Sequence, residues 1–443
     1  MHTLSHPHRL AAWQAGRDRR RLVRRSAQAE FSPGPGRADP VAVLRAQGTS
    51  RIQHLLPLRW QRMRADPFAF FRGAAAVMAA DLATTPNAGI RQQSSGDCHL
   101  ANFGAYASPE GLPVFDLNDF DETLEAPFEW DIKRLAASVA IAGEVAGLSE
   151  RRAARLAVRA ARAYADHIAW LAALPPLEAW STHIDLAAAI AGIDDAKLRS
   201  RVQHHLGLTL ASGEDHFGLI EQSDDAHRIV DKPPTTTRLD DAEAEAVRGA
   251  FADYTATLTP ERRHLLGAYR LRDVAMKVVG VGSVGTFCAI GLFVADGNAP
   301  LMLQLKEAQA SVLAPFAGAS PYANQGERVV AGQRMLQAAI DVFLGWTPRP
   351  VAGRDVYIRR LKDSRLASVG EMTEASLPFR ASLCGHTLAR AHARAGNAAA
   401  IAGYLGRGRS FAQAIGEFAV AYAGQNRADF ARFCEAFDKG VLF

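Results

Sequence analysis

Two short stretches in the first third of the chain concentrate acids and amides. They are residues 96–102, which read GDCHLAN, and residues 116–122, which read DLNDFDE. Both stretches suit loops and short strands, where burying so many carboxylates is costly unless a cation lies among them. A bound metal ion is the simplest such cation, so we predict a metal-dependent site here.

The spacing within these stretches favours phosphoryl transfer. In that chemistry an Asp contacts the acceptor hydroxyl, an Asn five residues later binds a metal, and a second Asp beyond a strand binds the metal that bridges the phosphates. Asp97, Asn102 and Asp119 occur in this order. We therefore predict Asp97 and His99 as catalytic residues, and Asn102, Asp119 and Asp121 as ligands of Mg2+.

A dinuclear metallophosphoesterase is the alternative interpretation of the Asp97-x-His99 pair. That chemistry also needs a later Asn-His pair and further His ligands. The only Gly-Asn steps of the chain, at 297–298 and 396–397, are each followed by Ala. The alternative is therefore the weaker of the two.

A glycine-rich loop and a lysine lie in the second half of the chain. Residues 280–285 read GVGSVG between two strand-like segments, and a turn then leads to a third strand-like segment, 301–306. A dinucleotide-binding loop would run into a helix instead. In kinases a glycine flap covers the nucleotide phosphates and a third-strand Lys contacts them. We therefore predict that ATP is bound by Gly280, Gly282, Ser283, Gly285 and Lys306.

Two further side chains are candidates on weaker grounds. A helix predicted over 322–344 carries Glu327 in its first turn, where it would pair with Lys306, although Glu307 competes and any helix N-terminus favours an acid. Arg72 lies among aromatic residues and is a candidate phosphate contact. Packing of its stem on the rings is the alternative for Arg72.

These elements occur in an unusual order. In kinases the glycine loop, Lys and Glu precede the catalytic loop, whereas here they follow it by roughly 180 residues. Reading the chain as a circle that starts near Arg272 restores the kinase order. Circular permutation keeps the same contacts when the termini lie close together at the surface.

Composition sets the broad class. A chain of 443 residues that is 48% hydrophobic can bury a large core. Residues 1–37 hold eight Arg against Asp18 and Glu30, so the rest of the chain is nearly neutral and predicts no nucleic-acid surface. No apolar run is long enough to span a membrane. Four scattered Cys without a CxxC indicate reduced thiols and a cytoplasmic protein.

Six motifs together resemble an uncharacterised bacterial family, domain of unknown function 2252, over about residues 45–440. They lie at 96–104, 118–123, 130–135, 280–285, 303–308 and 389–394. More remotely, the first three are similar to motifs of the aminoglycoside and choline phosphotransferase branch of the kinase-like fold. Ser95 stands where those kinases have a His.

The resemblance implies roles for particular residues. Asp97 would be the catalytic Asp, and Asn102 and Asp119 would bind metal. Asp131 would be the buried Asp that supports the catalytic loop, with Arg134 in the same motif as a second supporting residue.

We expect an α+β, two-lobed, protein-kinase-like fold that is circularly permuted. Its parts would be a disordered basic tail at 1–38, a large-lobe part at 39–267 that includes a helical insertion at roughly 173–238, a β-rich nucleotide-binding lobe at 268–365 and C-terminal helices at 366–443. The expected function is ATP- and Mg2+-dependent phosphoryl transfer to an unidentified acceptor. A nucleotide-binding pseudokinase or regulatory module, and nucleotidyl transfer, are the alternatives.

Overall fold

The structure is a computed structural model that describes residues 7–204, 218–223, 226–361 and 372–442. Its class is α+β. The helices are α1 (Pro7–Asp18), α2 (Pro40–Gly48), α3 (Leu56–Met63), α4 (Pro67–Gly73), α5 (Ala75–Ala83), α6 (Phe128–Val145), α7 (Glu150–Ala173), α8 (Pro176–Ser181), α9 (Leu186–Ala191), α10 (Asp241–Asp253), α11 (Pro260–Gly267), α12 (Ala314–Ala317), α13 (Gln325–Leu336), α14 (Leu377–Ala395), α15 (Ala398–Leu405) and α16 (Arg409–Asp438). Residues 196–204 are also helical.

The strands form one large sheet and three small antiparallel pairs. They are β1 (Arg91–Ser94), β2 (Phe103–Ala107), β3 (Pro113–Leu117), β4 (Leu124–Pro127), β5 (Ile220–Ser223), β6 (Ala226–Ile229), β7 (Thr236–Thr237), β8 (Tyr269–Lys277), β9 (Cys288–Ala295), β10 (Pro300–Glu307), β11 (Gly345–Trp346) and β12 (Val356–Arg360). The small pairs are β1 with β4, β2 with β3, and β5 with β6.

The large sheet is antiparallel and has the strand order β11-β12-β10-β9-β8-β7. The predicted succession of strand, glycine loop, strand, turn and strand is confirmed by β8, β9 and β10. Alternation along β10 puts Leu301, Leu303 and Leu305 into one apolar core with α10. Lys306 lies opposite Cys288 on β9 and opposite Tyr357 on β12.

The helical part of the molecule is built around α6. Residues Phe128–Gly143 are all buried, because α7, α14 and α16 pack around this helix. Small residues allow the close approach: Gly385 lies where α14 meets α7, and a Cβ there would come 2.3 Å from the carbonyl oxygen of Ala160. A helix enclosed on all sides is a rigid support for side chains at its N-terminus, and Asp131 and Arg134 lie there.

The prediction of a disordered basic tail over residues 1–38 is wrong for residues 7–38. Helix α1 packs against α15 so closely that a Cβ on Gly403 would come 2.0 Å from the carbonyl oxygen of Trp13. Arg20 donates to the carbonyls of Gly403 and Tyr404, which belong to the last turn of α15. Arg20 and Arg25 therefore cap a helix C-terminus, where cations are favoured.

The helix predicted over 322–344 ends at Leu336 instead. Beyond this point the backbone is held by other elements: Arg390 donates to the Leu336 carbonyl at 2.7 Å, and the Gln337 side chain donates to the Leu117 carbonyl at 2.9 Å. Asp341 accepts from the backbone N–H of Arg360 at 2.6 Å. These hydrogen bonds to distant elements take the place of the hydrogen bonds of a continued helix. The apolar pattern of residues 322–344 could not predict them.

Some predictions fall outside the described residues. His205 and His216 of the predicted insertion lie there, and so does the predicted boundary near residue 365. None of the helices in the described ranges is long and apolar enough to cross a membrane. The four cysteines form no disulfide.

Candidate active site

Two antiparallel strand pairs bring the acid-rich stretches together. Strands β2 and β3 pair so that Phe103 lies opposite Leu117, and the backbone N–H of Asn118 donates to the Asn102 carbonyl at 3.1 Å. Asn102 precedes β2 and Asp119 follows β3, so this pairing makes them neighbours. The pairing of β1 with β4 likewise brings the Asp97 loop beside residues 121–123.

The loop that carries Asp97 is held in place by the N-terminal turn of α6. The Asp131 carboxylate accepts hydrogen bonds from the backbone N–H groups of Ser95 at 2.7 Å and Gly96 at 3.0 Å. His392 of α14 lies 3.1 Å from the same carboxylate. Gly96 has φ +83°, and a Cβ there would come 2.1 Å from the carbonyl oxygen of Glu122. The position therefore requires glycine, and the structure places Asp131 directly beneath the loop.

Asp97 is oriented by two neighbours. Arg134 of α6 lies 2.6 Å (Nε) and 2.5 Å (Nη2) from the same Asp97 oxygen, Oδ1, and Asn102 Nδ2 donates to the Asp97 backbone carbonyl at 2.8 Å. Bonding through Oδ1 leaves Oδ2 as the oxygen available to a ligand, and the side chain is 20% exposed. The Asn102 amide nitrogen is likewise engaged, which leaves its Oδ1 as the atom able to bind a metal.

His99 is buried and uncharged at neutral pH. Burial lowers the pKa of its imidazole well below the ordinary range, and the positive charges of Arg72 and Arg134 lower it further. Its Nδ1 accepts from the backbone N–H of Ala101 at 3.2 Å, so Nε2, which lies 3.8 Å from Asp97 Oδ2, carries the proton. A ring in this tautomer can donate a hydrogen bond but has no free nitrogen to accept a proton.

An ion pair crosses from the sheet to the acid-rich stretch. Lys306 Nζ lies 2.7 Å from Asp121 Oδ2, and the Tyr357 hydroxyl donates to Asp121 Oδ1 at 2.5 Å. Burial would raise the pKa of Asp121, but the charge of Lys306 and these hydrogen bonds lower it below the ordinary value. Burial would lower the pKa of Lys306, but Asp121 raises it above the ordinary value. Both groups are therefore charged at neutral pH.

The expected pairing of Lys306 with Glu327 is wrong. Glu327 lies in the first turn of α13, which Asn324 caps, and the lysine pairs with Asp121 instead. The next residue, Arg328, is 2% exposed and donates to the carbonyls of Thr123 at 2.6 Å and Asp121 at 2.8 Å. Helix α13 thus supports the acid-rich stretch through Arg328, which no local pattern distinguished from its neighbours.

Asp119, unlike Asp97 and Asp121, lacks a cationic partner at ion-pair distance within the described residues. Burial raises its pKa, and the negative charge of Asp121 raises it further. A cation bound at Asp119 would remove this cost. Carboxylate and amide oxygens suit Mg2+, which takes one or two protein carboxylates and completes its shell with phosphates and water. Asp119 and Asn102 fit that donor set.

Within the described residues no group of three or more His, Cys, Asp or Glu side chains is arranged to hold a metal. A site built from Asp119 and the Asn102 amide therefore depends on ligands that a phosphate-bearing substrate would bring.

One cavity joins the predicted residues. The predicted residues that line it are Arg72, Asp97, His99, Asn102, Asp119, Asp121, Gly280, Gly282, Ser283 and Lys306. Gly285, Glu327, Asp131 and Arg134 do not line it; Gly285 instead accepts from the backbone N–H of Ile52 at 2.7 Å. The structure therefore gathers segments that lie roughly 180 residues apart in the chain.

Several lining residues were not predicted. They include Arg51, Arg59, Glu122 and Gln309, and Glu307 was considered only as a partner of Lys306. Glu122 belongs to the run of acids in 116–122, which was a signal, and burial raises its pKa to about 7. Arg59 and Arg62 are three residues apart on α3, on the same side of that helix. Arg51 has no comparable sequence signal.

Comparison with known proteins gives a family match. The family model described as "Uncharacterized protein conserved in bacteria (DUF2252)" matches residues 51–436. A search of curated proteins and a search of solved structures found no match to the chain.

Proposed function

Because the chain belongs to the DUF2252 family of bacterial proteins, whose description assigns no activity, we propose its function from the cavity itself: ATP- and Mg2+-dependent transfer of a phosphoryl group to an acceptor that has yet to be identified. The observation that carries this proposal is the convergence of Asp97, Asn102 and Asp119 with the glycine loop and Lys306 around one cavity. Phosphoryl transfer requires these groups together.

Each residue has a separate task in this proposal. Asp119 and the Asn102 amide oxygen would hold Mg2+, which supplies charge stabilisation to the phosphate oxygens when it is bound. Asp97 accepts the proton of the acceptor hydroxyl through Oδ2, because Arg134 occupies Oδ1. The acceptor oxygen forms its bond to the γ-phosphorus as the bond to the β–γ bridging oxygen breaks, so ADP leaves. His99 donates a hydrogen bond and does not act as the base.

The fold we propose is kinase-like, two-lobed and circularly permuted. The sheet of β7–β12 would be the nucleotide-binding lobe, and the helices around α6 would be the lobe that carries the acids. Lys306 differs from the expected kinase arrangement because its partner is Asp121, from the opposite wall of the cavity. In this proposal the ion pair tethers the two lobes and opens to release Lys306 to a phosphate group.

A nucleotide-binding module without catalysis is the second candidate. The cavity has a volume of about 90 Å³, well below the roughly 300–1,000 Å³ of ordinary ligand pockets. This small volume, together with the Lys306–Asp121 pair, supports opening of the cavity before a nucleotide binds. An enzyme and a regulatory module both open on nucleotide binding, and only turnover separates them.

The test uses labelled nucleotide. Wild-type protein is incubated with Mg2+, a bacterial cell extract and either γ-labelled or α-labelled ATP, and Asp97→Asn protein serves as the control. Phosphoryl transfer predicts a labelled product from γ-labelled ATP alone, in the wild type and not in the variant. A product labelled from α-labelled ATP would show nucleotidyl transfer, and no product in any fraction would favour the regulatory module.

A further inference from the structure

A segment outside the kinase-like elements holds the glycine loop. Arg62 donates to the carbonyl of Gly280 at 2.5 Å, Arg59 donates to the carbonyl of Gly282, and Arg51 donates to the carbonyl of Val284 at 2.7 Å. Three arginines from residues 51–62 thus bind every second carbonyl of the loop. The loop is positioned through its carbonyl oxygens.

The backbone N–H groups of the same loop are free. In the described part of the chain, the N–H groups of residues 279–283 donate no hydrogen bond to another protein group. Gly280 has φ +71°, and Gly280, Gly282 and Ser283 line the cavity. Successive free N–H groups in a turn of this kind form a concave site for anions.

Arg59 is a buried cation without a carboxylate. Its side chain is 1% exposed, and its two terminal nitrogens donate to the neutral carbonyls of Gly282 and Gly73. Its Nε is buried without an acceptor among the described residues. Burial lowers the pKa of Arg59 well below the ordinary value, and the charge of Arg51 lowers it further. Burying a guanidinium in this way is costly unless an anion pairs with it.

Arg51 lies at the same wall, where burial lowers its pKa although the charges of Glu122, Glu307 and Asp121 act in the opposite direction. Its Nε is also buried without an acceptor among the described residues, and both arginines line the cavity. Arg62 can be compared with these two arginines, because it also donates to a carbonyl of the loop but does not line the cavity. Holding the loop therefore does not by itself explain why Arg51 and Arg59 face this space.

We propose that Arg51 and Arg59, together with the free N–H groups of residues 279–283, bind the phosphate chain of the nucleotide. This inference rests on the proposed function and extends it to a phosphate-binding wall supplied by residues 51–59. The location favours the nucleotide over the acceptor, because Arg51 and Arg59 contact the glycine loop.

The test compares matched arginine variants. Calorimetry in the presence of Mg2+ measures the affinity of wild type, Arg51→Gln and Arg62→Gln for ATP, AMP and inorganic tripolyphosphate. Loss of a charge-assisted contact predicts that Arg51→Gln binds ATP and tripolyphosphate on the order of 10- to 100-fold more weakly, with AMP affinity changed less than about threefold. Arg62→Gln, which loses only a contact to the loop, keeps most of the ATP affinity. Arg51 is tested because replacing the fully buried Arg59 endangers folding.

The outcomes separate the two proposals. Equal losses of ATP affinity in Arg51→Gln and Arg62→Gln, or no loss in Arg51→Gln, would overturn the phosphate-binding wall while the proposed function stands. Arg51-dependent binding of tripolyphosphate without any binding of ATP would overturn the proposed function and keep the anion site. A wild-type protein that binds neither would overturn both. Circular dichroism melting of each variant confirms that the compared proteins are folded.

Discussion

The two walls of the cavity are held in different ways. The acidic wall, residues 95–122, is fixed by side chains of enclosed helices: Asp131 and Arg134 of α6 bind the Asp97 loop, and Arg328 of α13 binds residues 121–123. The opposite wall, the glycine loop, is bound through its carbonyls by arginines of a peripheral segment. The acidic wall is therefore anchored to the helical core, whereas the glycine loop is anchored to residues 51–62.

The largest effect we expect comes from breaking the acidic wall. Asp131→Ala leaves the buried N–H groups of Ser95 and Gly96 without an acceptor and removes one of the two partners of His392. Unsatisfied buried groups cost about 1–3 kcal/mol each, so the free energy of unfolding should fall by about 3–5 kcal/mol. Urea denaturation followed by circular dichroism measures this. A loss below about 1 kcal/mol would mean that the wall is not held from α6.

Removing the lysine should abolish nucleotide-induced stabilisation. ATP with Mg2+ at 100 times its Kd should stabilise the wild type by about 2.7 kcal/mol, because it binds only the folded protein. Lys306→Ala should largely lose this shift in a thermal melt. The matched control is Glu327→Gln, which should keep the shift, since Glu327 does not pair with the lysine. If Glu327→Gln lost the stabilisation by ATP while Lys306→Ala kept it, Glu327 and not Lys306 would be assigned to nucleotide binding.

The charge of the acidic wall should appear in the pH dependence of stability. Burial raises the pKa of Glu122 to about 7, above its ordinary 4.5, so the folded protein holds a proton that the unfolded chain releases. The contribution of Glu122 to the free energy of unfolding is therefore present in full below pH 4.5. It is lost as the pH rises to about 7. Without Mg2+, wild type should lose on the order of 2 kcal/mol between pH 5 and pH 7 relative to Glu122→Gln. Urea denaturation measures the free energy of unfolding of both proteins. If the difference between wild type and Glu122→Gln were the same at pH 5 and pH 7, this prediction would be contradicted.

The smallest effect should come from the glycine loop. Ser283 Oγ donates to the carbonyl of Val279 at 2.9 Å, within the loop itself. Ser283→Ala removes one partly exposed hydrogen bond, which is worth about 0.5–1.5 kcal/mol. Thermal melting should therefore place this variant close to the wild type and far above Asp131→Ala. A loss as large as that of Asp131→Ala would remove the distinction between the two walls.

Local patterns were sufficient for much of the fold and for the acidic wall. Alternation and turn residues predicted β8, β9, β10 and the loop between the first two, because a strand's period and a tight turn are local properties. The spacing of Asp97, Asn102 and Asp119 likewise predicted that these three residues lie close together, because they are also near one another in the chain. The short β2–β3 hairpin between the last two returns the chain to its starting point.

Long-range pairing was not predictable from the same patterns. The partner of Lys306 is Asp121, 185 residues away, whereas the local helix offered Glu327. The basic N-terminal segment looked disordered by charge alone, yet Arg20 and Arg25 cap the C-terminus of α15. Such contacts depend on which distant elements meet in the fold, and the local patterns of a single sequence do not indicate this.

We propose that Asp97 and Asp119 have different tasks in phosphoryl transfer. The most direct measurement compares Asp97→Asn with Asp119→Asn, using calorimetry for Mg-ATP affinity and labelled phosphate for turnover. We predict that Asp97→Asn keeps nucleotide affinity nearly intact while turnover falls on the order of 10²–10⁴-fold, and that Asp119→Asn loses both. Turnover in Asp97→Asn equal to that of the wild type would contradict the claim.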